Sequence, residues 1–145
     1  CEADAGAGHL NVDLEDGATA SPVYSYLAFP IDGAIAGHSV LDVTLSLTVS
    51  ADLGSNSNSS GEIWLVSAFS LADLSSAEPT KIGNQPLAAD LGSVALSRTV
   101  TFTLPPASVA PNTTLYLGIY PLSTNGVNYY NNAGATPPQL SITYQ

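Results

Sequence analysis

Three carboxylates, Asp13, Glu15 and Asp16, stand almost side by side and run directly into Gly17. Calcium takes six to eight oxygen ligands, and an acidic turn offers carboxylates and backbone carbonyls together. Asp13, Glu15 and Asp16 are therefore the candidate metal ligands, for a structural calcium. The plainer alternative is a solvated acidic turn, because the spacing lacks the full pattern of a calcium-binding loop. A second set of residues suits sugars. Tyr116 and Tyr120 flank Leu117 and Ile119 in an alternating segment, and Tyr129-Tyr130 follows Asn125-Gly126, with Asn128, Asn131 and Asn132 close by. Aromatic rings stack on the apolar C–H faces of a pyranose, while amides bond its hydroxyls. Tyr116, Tyr120, Tyr129, Tyr130, Asn128, Asn131 and Asn132 form the candidate ligand-binding set. Each tyrosine has a structural alternative, cross-strand pairing that shields the sheet. Trp64 sits in a run that is apolar on both sides and reads as a core residue.

Catalysis fails on reagents. A Ser/His/Asp triad needs an ordered histidine, and the chain has only His9 and His38. No Gly-x-Ser-x-Gly elbow surrounds a serine, and Cys1 has no basic neighbour in sequence to lower its pKa. A glycosidase needs two carboxylates facing across a cleft. Glu2, Glu15, Glu62 and Glu78 fall instead in tether, turn, strand-edge and loop contexts. The chain reads as a non-enzyme.

Charge narrows the partners further. Twelve acids face two basic side chains, Lys81 and Arg98, for a net charge of −10. Two cations cannot neutralise a row of phosphates, which excludes nucleic acid. Anionic membranes and acidic polysaccharides are disfavoured for the same reason, unless a bound cation bridges them. No stretch is long and apolar enough for a transmembrane helix. A lone cysteine makes no internal disulfide. As the first residue, Cys1 fits either a lipid anchor on a processed lipoprotein or a simple domain boundary. Residues 1–8 then read as a tether or arm and residues 9–145 as one domain, placed outside the cell or on its surface.

The elements that must position these groups are strands. At 40–49, Leu41, Val43, Leu45, Leu47 and Val49 share one face, with Thr44, Ser46 and Thr48 on the other. The segment 24–31 places Leu27, Phe29 and Ile31 inward; 99–104 does the same with Val100, Phe102 and Leu104. Segments 62–69 and 115–120 continue the alternation, and 9–14, 127–131 and 140–144 are weaker strands. Turn signals separate all eight. Residues 54–61 read as a flexible Ser/Asn-rich loop. The single helical segment is 71–76, with Ser70 as N-cap. The sequence therefore predicts an all-β antiparallel sandwich of about eight strands, in jelly-roll topology.

Four segments carry a family resemblance. They are Ser25-Tyr26-Leu27-Ala28-Phe29, the run from Val40 to Leu47, Ile63-Trp64-Leu65-Val66, and a closing Pro138-Gln139-Leu140-Ser141-Ile142-Thr143-Tyr144. In this order they resemble the DNRLRE-type domains of bacterial secreted proteins, jelly-roll modules related to carbohydrate-binding modules. The chain departs from the family at Ala28, where an arginine is usual, and at Tyr130, Asn131 and Asn132, where a Ser-Arg-Glu-type segment is usual. The resemblance implies a glycan or cell-surface polymer as partner and no required cofactor. A second expectation is a structural or adhesive subunit, assembling as a homo-oligomer or fibre through its low-charge faces and its N-terminal arm.

Overall fold

A computed structural model describes residues 8–15 and 21–145. Cys1 and Asp16 lie outside the described residues, and with them the expected lipid anchor and one of the expected calcium ligands. The strands run β1 (His9–Val12), β2 (Ser25–Ile31), β3 (Val40–Thr48), β4 (Glu62–Leu65), β5 (Thr99–Leu104), β6 (Thr113–Tyr120), β7 (Val127–Tyr130) and β8 (Gln139–Tyr144). One helical turn, α1 (Leu71–Leu74), follows β4. Ser70 caps α1 as the sequence predicts, and Asp73 completes a reciprocal capping box by accepting from the Ser70 N–H. Every pairing is antiparallel. One sheet has the order β2-β6-β4, the other β5-β3-β8, and β1-β7 forms a small third pair. This is the all-β sandwich expected. Among the described residues the eight strands divide three, three and two, and these pairings do not establish the jelly-roll connectivity.

Alternation builds the core. Leu27, Ile31, Leu115, Leu117, Ile119 and Ile63 from one sheet meet Val43, Leu45, Leu47, Phe102 and Leu104 from the other in a single buried cluster. Along the outer side of β3, hydroxyls pair across strands: Thr48 with Thr99 at 2.7 Å and Ser46 with Thr101 at 3.2 Å. Leu41 departs from the expected pattern and is 51% exposed. The β3–β8 register shifts between Val40 and Asp42, and the irregularity turns Leu41 to solvent while Val40 packs against the core.

The β1-β7 pair ties the two sheets together at one end. Asp13 bridges to Val23 just ahead of β2, and Val49 beyond β3 bridges to Tyr129. Only glycine fits at 126, because a Cβ there would lie 2.6 Å from the Asp13 carboxylate. Residues 54–61, expected as a flexible loop, are instead packed into this end of the sandwich. Ser55, Ser57, Ser59 and Ser60 are all buried. Asp90 accepts from both the N–H and the hydroxyl of Ser60 at 2.7 Å, and the Ser60 carbonyl accepts from the Tyr129 hydroxyl at 2.9 Å. The serines are polar in sequence, but each hydrogen bond removes the penalty of burial.

The outer face of β2-β6-β4 is covered by the chain itself. Ser67 N–H bonds the Thr80 carbonyl and Ile82 N–H bonds the Leu65 carbonyl, so residues 67–81 leave β4 and return along its edge. Val66 and Tyr120 are buried beneath this excursion, yet neither belongs to the core between the sheets. Trp64 lies on this outer face, opposite Gly118, and not in the core. The apolar residues on both faces of β4 are thus explained by one sheet-to-sheet core and one local cover.

Candidate functional site

The expected ligand-binding residues separate into three places. Tyr116 and Tyr120 stand on the outer face of the β2-β6-β4 sheet, with Tyr26, Trp64 and Phe69. Their rings meet edge to face or tilted: Tyr26 to Tyr120 at 85°, Trp64 to Tyr120 at 73° and Phe69 to Tyr116 at 65°. Such mutually inclined rings satisfy one another and present no common plane to a sugar. Gly118 makes room for them, since a Cβ at that position would lie 2.6 Å from the Tyr120 ring. Lys81 closes the cluster, its Nζ 3.9 Å from the centre of the Tyr120 ring and 4.2 Å from that of Trp64. Trp64 Nε1–H donates to Glu62 at 3.0 Å. Tyr120 keeps only 7% of its surface exposed.

Burial pushes the Tyr120 phenol above its usual pKa, and burial together with the adjacent Tyr120 pushes Tyr26 further still. The Tyr26 hydroxyl sits close enough to Tyr120 to be influenced by it, yet no hydrogen bond of adequate geometry reaches that buried oxygen among the described residues.

Tyr129 is fully buried, donates to Ser60 and is part of the core, so its ring offers no surface to a ligand. Its inward position follows from alternation in β7: Val127 and Tyr129 face in, Asn128 and Tyr130 out. Tyr130 packs 6.0 Å from His9, and its hydroxyl accepts from Ala51 N–H at 3.0 Å. Asn128 uses its backbone to join Ser50 and Ser55, while the Asn131 side chain accepts from Ala133 N–H at 2.8 Å to close a turn; Asn132 is exposed beside it. The expected set therefore shares no single surface. Of the expected calcium ligands, Asp13 accepts from Glu15 N–H at 3.1 Å, an ordinary acidic turn. Among the described residues no group of three His, Cys, Asp or Glu side chains could hold a metal.

The open concavity lies elsewhere, where the packed 54–61 loop meets the segment before β5 and the turn before β7. It is broad and open to solvent, with a volume of about 790 Å³. Asn56, Asn58, Ser93, Arg98 and Asn125 supply its polar lining, with Val94 and Leu96 contributing apolar surface. Its walls are tied rigidly. Ser57 and Val94 exchange backbone hydrogen bonds at 3.1 and 2.9 Å. Ser57 Oγ donates to the Asn125 carbonyl, and Ser123 Oγ donates to Asn58 Oδ1 at 2.5 Å. Asn125 N–H donates to Ser123 Oγ at 3.0 Å. Among the described residues the side chains of Asn56, Asn125 and Arg98 have no protein partner, and so remain open to a ligand. In the sequence Asn125 stands out only as a neighbour of Tyr129 and Arg98 only as one of two basic side chains, and nothing marks Asn56 or Asn58 as ligand-binding. They come from three loops distant in sequence, and no local pattern joins them.

The nearest approach to a catalytic constellation is Ser50, Asp52 and His9. Ser50 Oγ donates to Asp52 Oδ2 at 3.0 Å, and His9 Nε2 lies 3.0 Å from the same oxygen. In a triad the imidazole stands between the hydroxyl and the carboxylate. Here the carboxylate stands between the other two, and Ser50 is fully buried. The order cannot activate the hydroxyl.

No protein-family model matches the sequence, and no curated protein is significantly similar to it. Among the described residues no helix is long and apolar enough to cross a membrane.

Proposed function

We propose that this domain is a non-catalytic extracellular module that binds carbohydrate in the groove lined by Asn56, Asn58, Asn125 and Arg98. The carrying observation is an open concavity lined by amide and guanidinium groups from three loops, two of which are hydrogen-bonded to the third, residues 54–61. Most small-molecule pockets are mainly apolar. A wall of amides and hydroxyls matches a ligand that is itself covered in hydroxyls, since amides both donate and accept. Val94 and Leu96 supply apolar area for C–H faces. The resemblance of β2, β3, β4 and β8 to DNRLRE-type modules points to the same class of ligand, as does the inverted order of Ser50, Asp52 and His9 to the absence of catalysis.

A polysaccharide-binding screen on monodisperse protein tests this reading, with an Asn56→Ala/Asn125→Ala double variant beside the wild type. Loss of binding in the variant, with unchanged melting temperature, is the expected result. Retained binding would move the site, and the Tyr116 and Trp64 face would be the next to mutate.

A specific observation supports one alternative, self-assembly. Among the described residues the outer edges of β5 and β8 pair with no strand. Open edges invite pairing with a second chain. Sedimentation of native protein decides between the two: a monomer that binds glycan supports the module, and ordered polymers without glycan binding support the structural subunit.

A further inference from the structure

The chain has two cationic side chains, and the fold disposes of them differently. Lys81 lies over the Trp64 and Tyr120 rings. Arg98 lines the groove, where among the described residues its guanidinium meets no carboxylate and donates no hydrogen bond. The chain carries twelve acids. Arg98 is thus a solvated, unpaired arginine on an open concavity that it shares with Asn56, Asn58 and Asn125.

Its placement is also structurally specified. Ser97 adopts a left-handed backbone, φ 58°, that a side chain other than glycine rarely takes. The surrounding bonds hold it there: Ser97 N–H to the Val49 carbonyl at 3.1 Å, and Arg98 N–H to the Ala95 carbonyl at 3.2 Å. The turn delivers Arg98 to the head of β5, beside the groove.

Taking the glycan-binding reading as its basis, we propose that the groove selects oligosaccharides bearing a single terminal carboxylate, a sialic or uronic acid, and that Arg98 is the residue that reads it. Guanidinium binds a carboxylate through two parallel N–H donors, a fit that no amide in the groove reproduces. Asn56, Asn58 and Asn125 then take the neighbouring hydroxyl and acylamino groups. The count of carboxylates follows from charge. One arginine neutralises one acid, while the net charge of −10 repels a polyuronate whose other carboxylates have no counterpart. The selectivity therefore excludes both neutral sugars and polyanions.

The experiment is a glycan array of matched pairs, each neutral oligosaccharide beside the same chain capped by one sialic or uronic acid, plus polygalacturonate. Wild-type protein is expected to prefer the singly acidic member of its best pair by tenfold or more, with the preference shrinking as salt rises. Arg98→Gln is expected to erase the preference while keeping weak binding of both members; Arg98→Lys is expected to retain part of it. Equal binding of both members, or an undiminished preference in Arg98→Gln, overturns the inference and leaves the groove reading standing. Tightest binding to polygalacturonate also overturns it. Binding to no member of the array overturns both.

Discussion

Two tyrosines with the same hydroxyl sit in opposite circumstances. Tyr129 donates to Ser60 in the core, whereas the buried Tyr26 hydroxyl lies beside Tyr120 without a well-formed hydrogen bond. A buried hydrogen bond contributes about 1 kcal/mol net, and an unpaired buried hydroxyl costs about 1–3 kcal/mol. Tyr129→Phe is therefore expected to destabilise by about 1 kcal/mol, and Tyr26→Phe to be neutral or stabilising. Denaturant melts of the two variants against wild type check the pair, and only Tyr129→Phe should lower stability. Asp90 gives a pH prediction. Partial burial raises its pKa, but hydrogen bonds from Ser60, Gly92 and Ser59 outweigh that and hold it below the ordinary aspartate value. A carboxylate held low in the folded state stabilises above its unfolded pKa of about 4 and loses that contribution as pH falls through the folded value. The stability gap between wild type and Asp90→Asn should be constant above pH 5 and close below it, read from melting temperature across acid buffers. None of these residue-scale roles was legible in sequence. Ser55 to Ser60 look like solvated loop residues until their hydrogen bonds are known, and Tyr129 differs from Tyr130 only by which side of one strand it occupies.

At the scale of elements the sequence was more informative. The alternation in 40–49, 99–104 and 115–120 placed Val43, Leu45, Leu47, Phe102, Leu104, Leu117 and Ile119 in the core, where they are found. A period of two is a direct consequence of strand geometry, so a burial pattern survives in the residue order. It failed where geometry departs from the period or where a third layer intervenes. The irregularity at Val40 and Asp42 turned Leu41 out, and the 67–81 excursion covered an outer face that would otherwise be wet. Trp64 was misplaced for that reason: its apolar neighbours are covered on both sides, but by different parts of the chain. Gly118 tests the excursion. A Cβ there meets the Tyr120 ring at 2.6 Å, so Gly118→Ala is expected to destabilise by about 1–3 kcal/mol through overpacking. Lys81→Ala instead should leave the fold intact and shift the emission of Trp64, the sole tryptophan, to longer wavelength as its covering ammonium and stem are removed. Unchanged emission would mean that Lys81 does not hold the cover in solution.

For the whole molecule, the division of labour runs between two faces. One sheet's outer surface is given over to packing, with rings against rings and Lys81 above them. The loop end opposite in role, tied by Ser57, Ser123 and the Ser57–Val94 bridge, presents the amides of Asn56 and Asn125 and the Arg98 guanidinium, which among the described residues have no protein partner. The sequence pointed to rings and amides as sugar-binding chemistry, yet it paired them by closeness along the chain. Asn58, Arg98 and Asn125 become neighbours only through long-range strand pairing, which no window of residues displays. Nuclear magnetic resonance titration with oligosaccharides that bind in the screen tests this account most directly. The side-chain amide signals of Asn56, Asn58 and Asn125 and the Arg98 guanidinium signal should move together while the Trp64 indole signal stays fixed. Movement confined to the Trp64 indole and the backbone around Tyr116, with the groove signals unchanged, would contradict it.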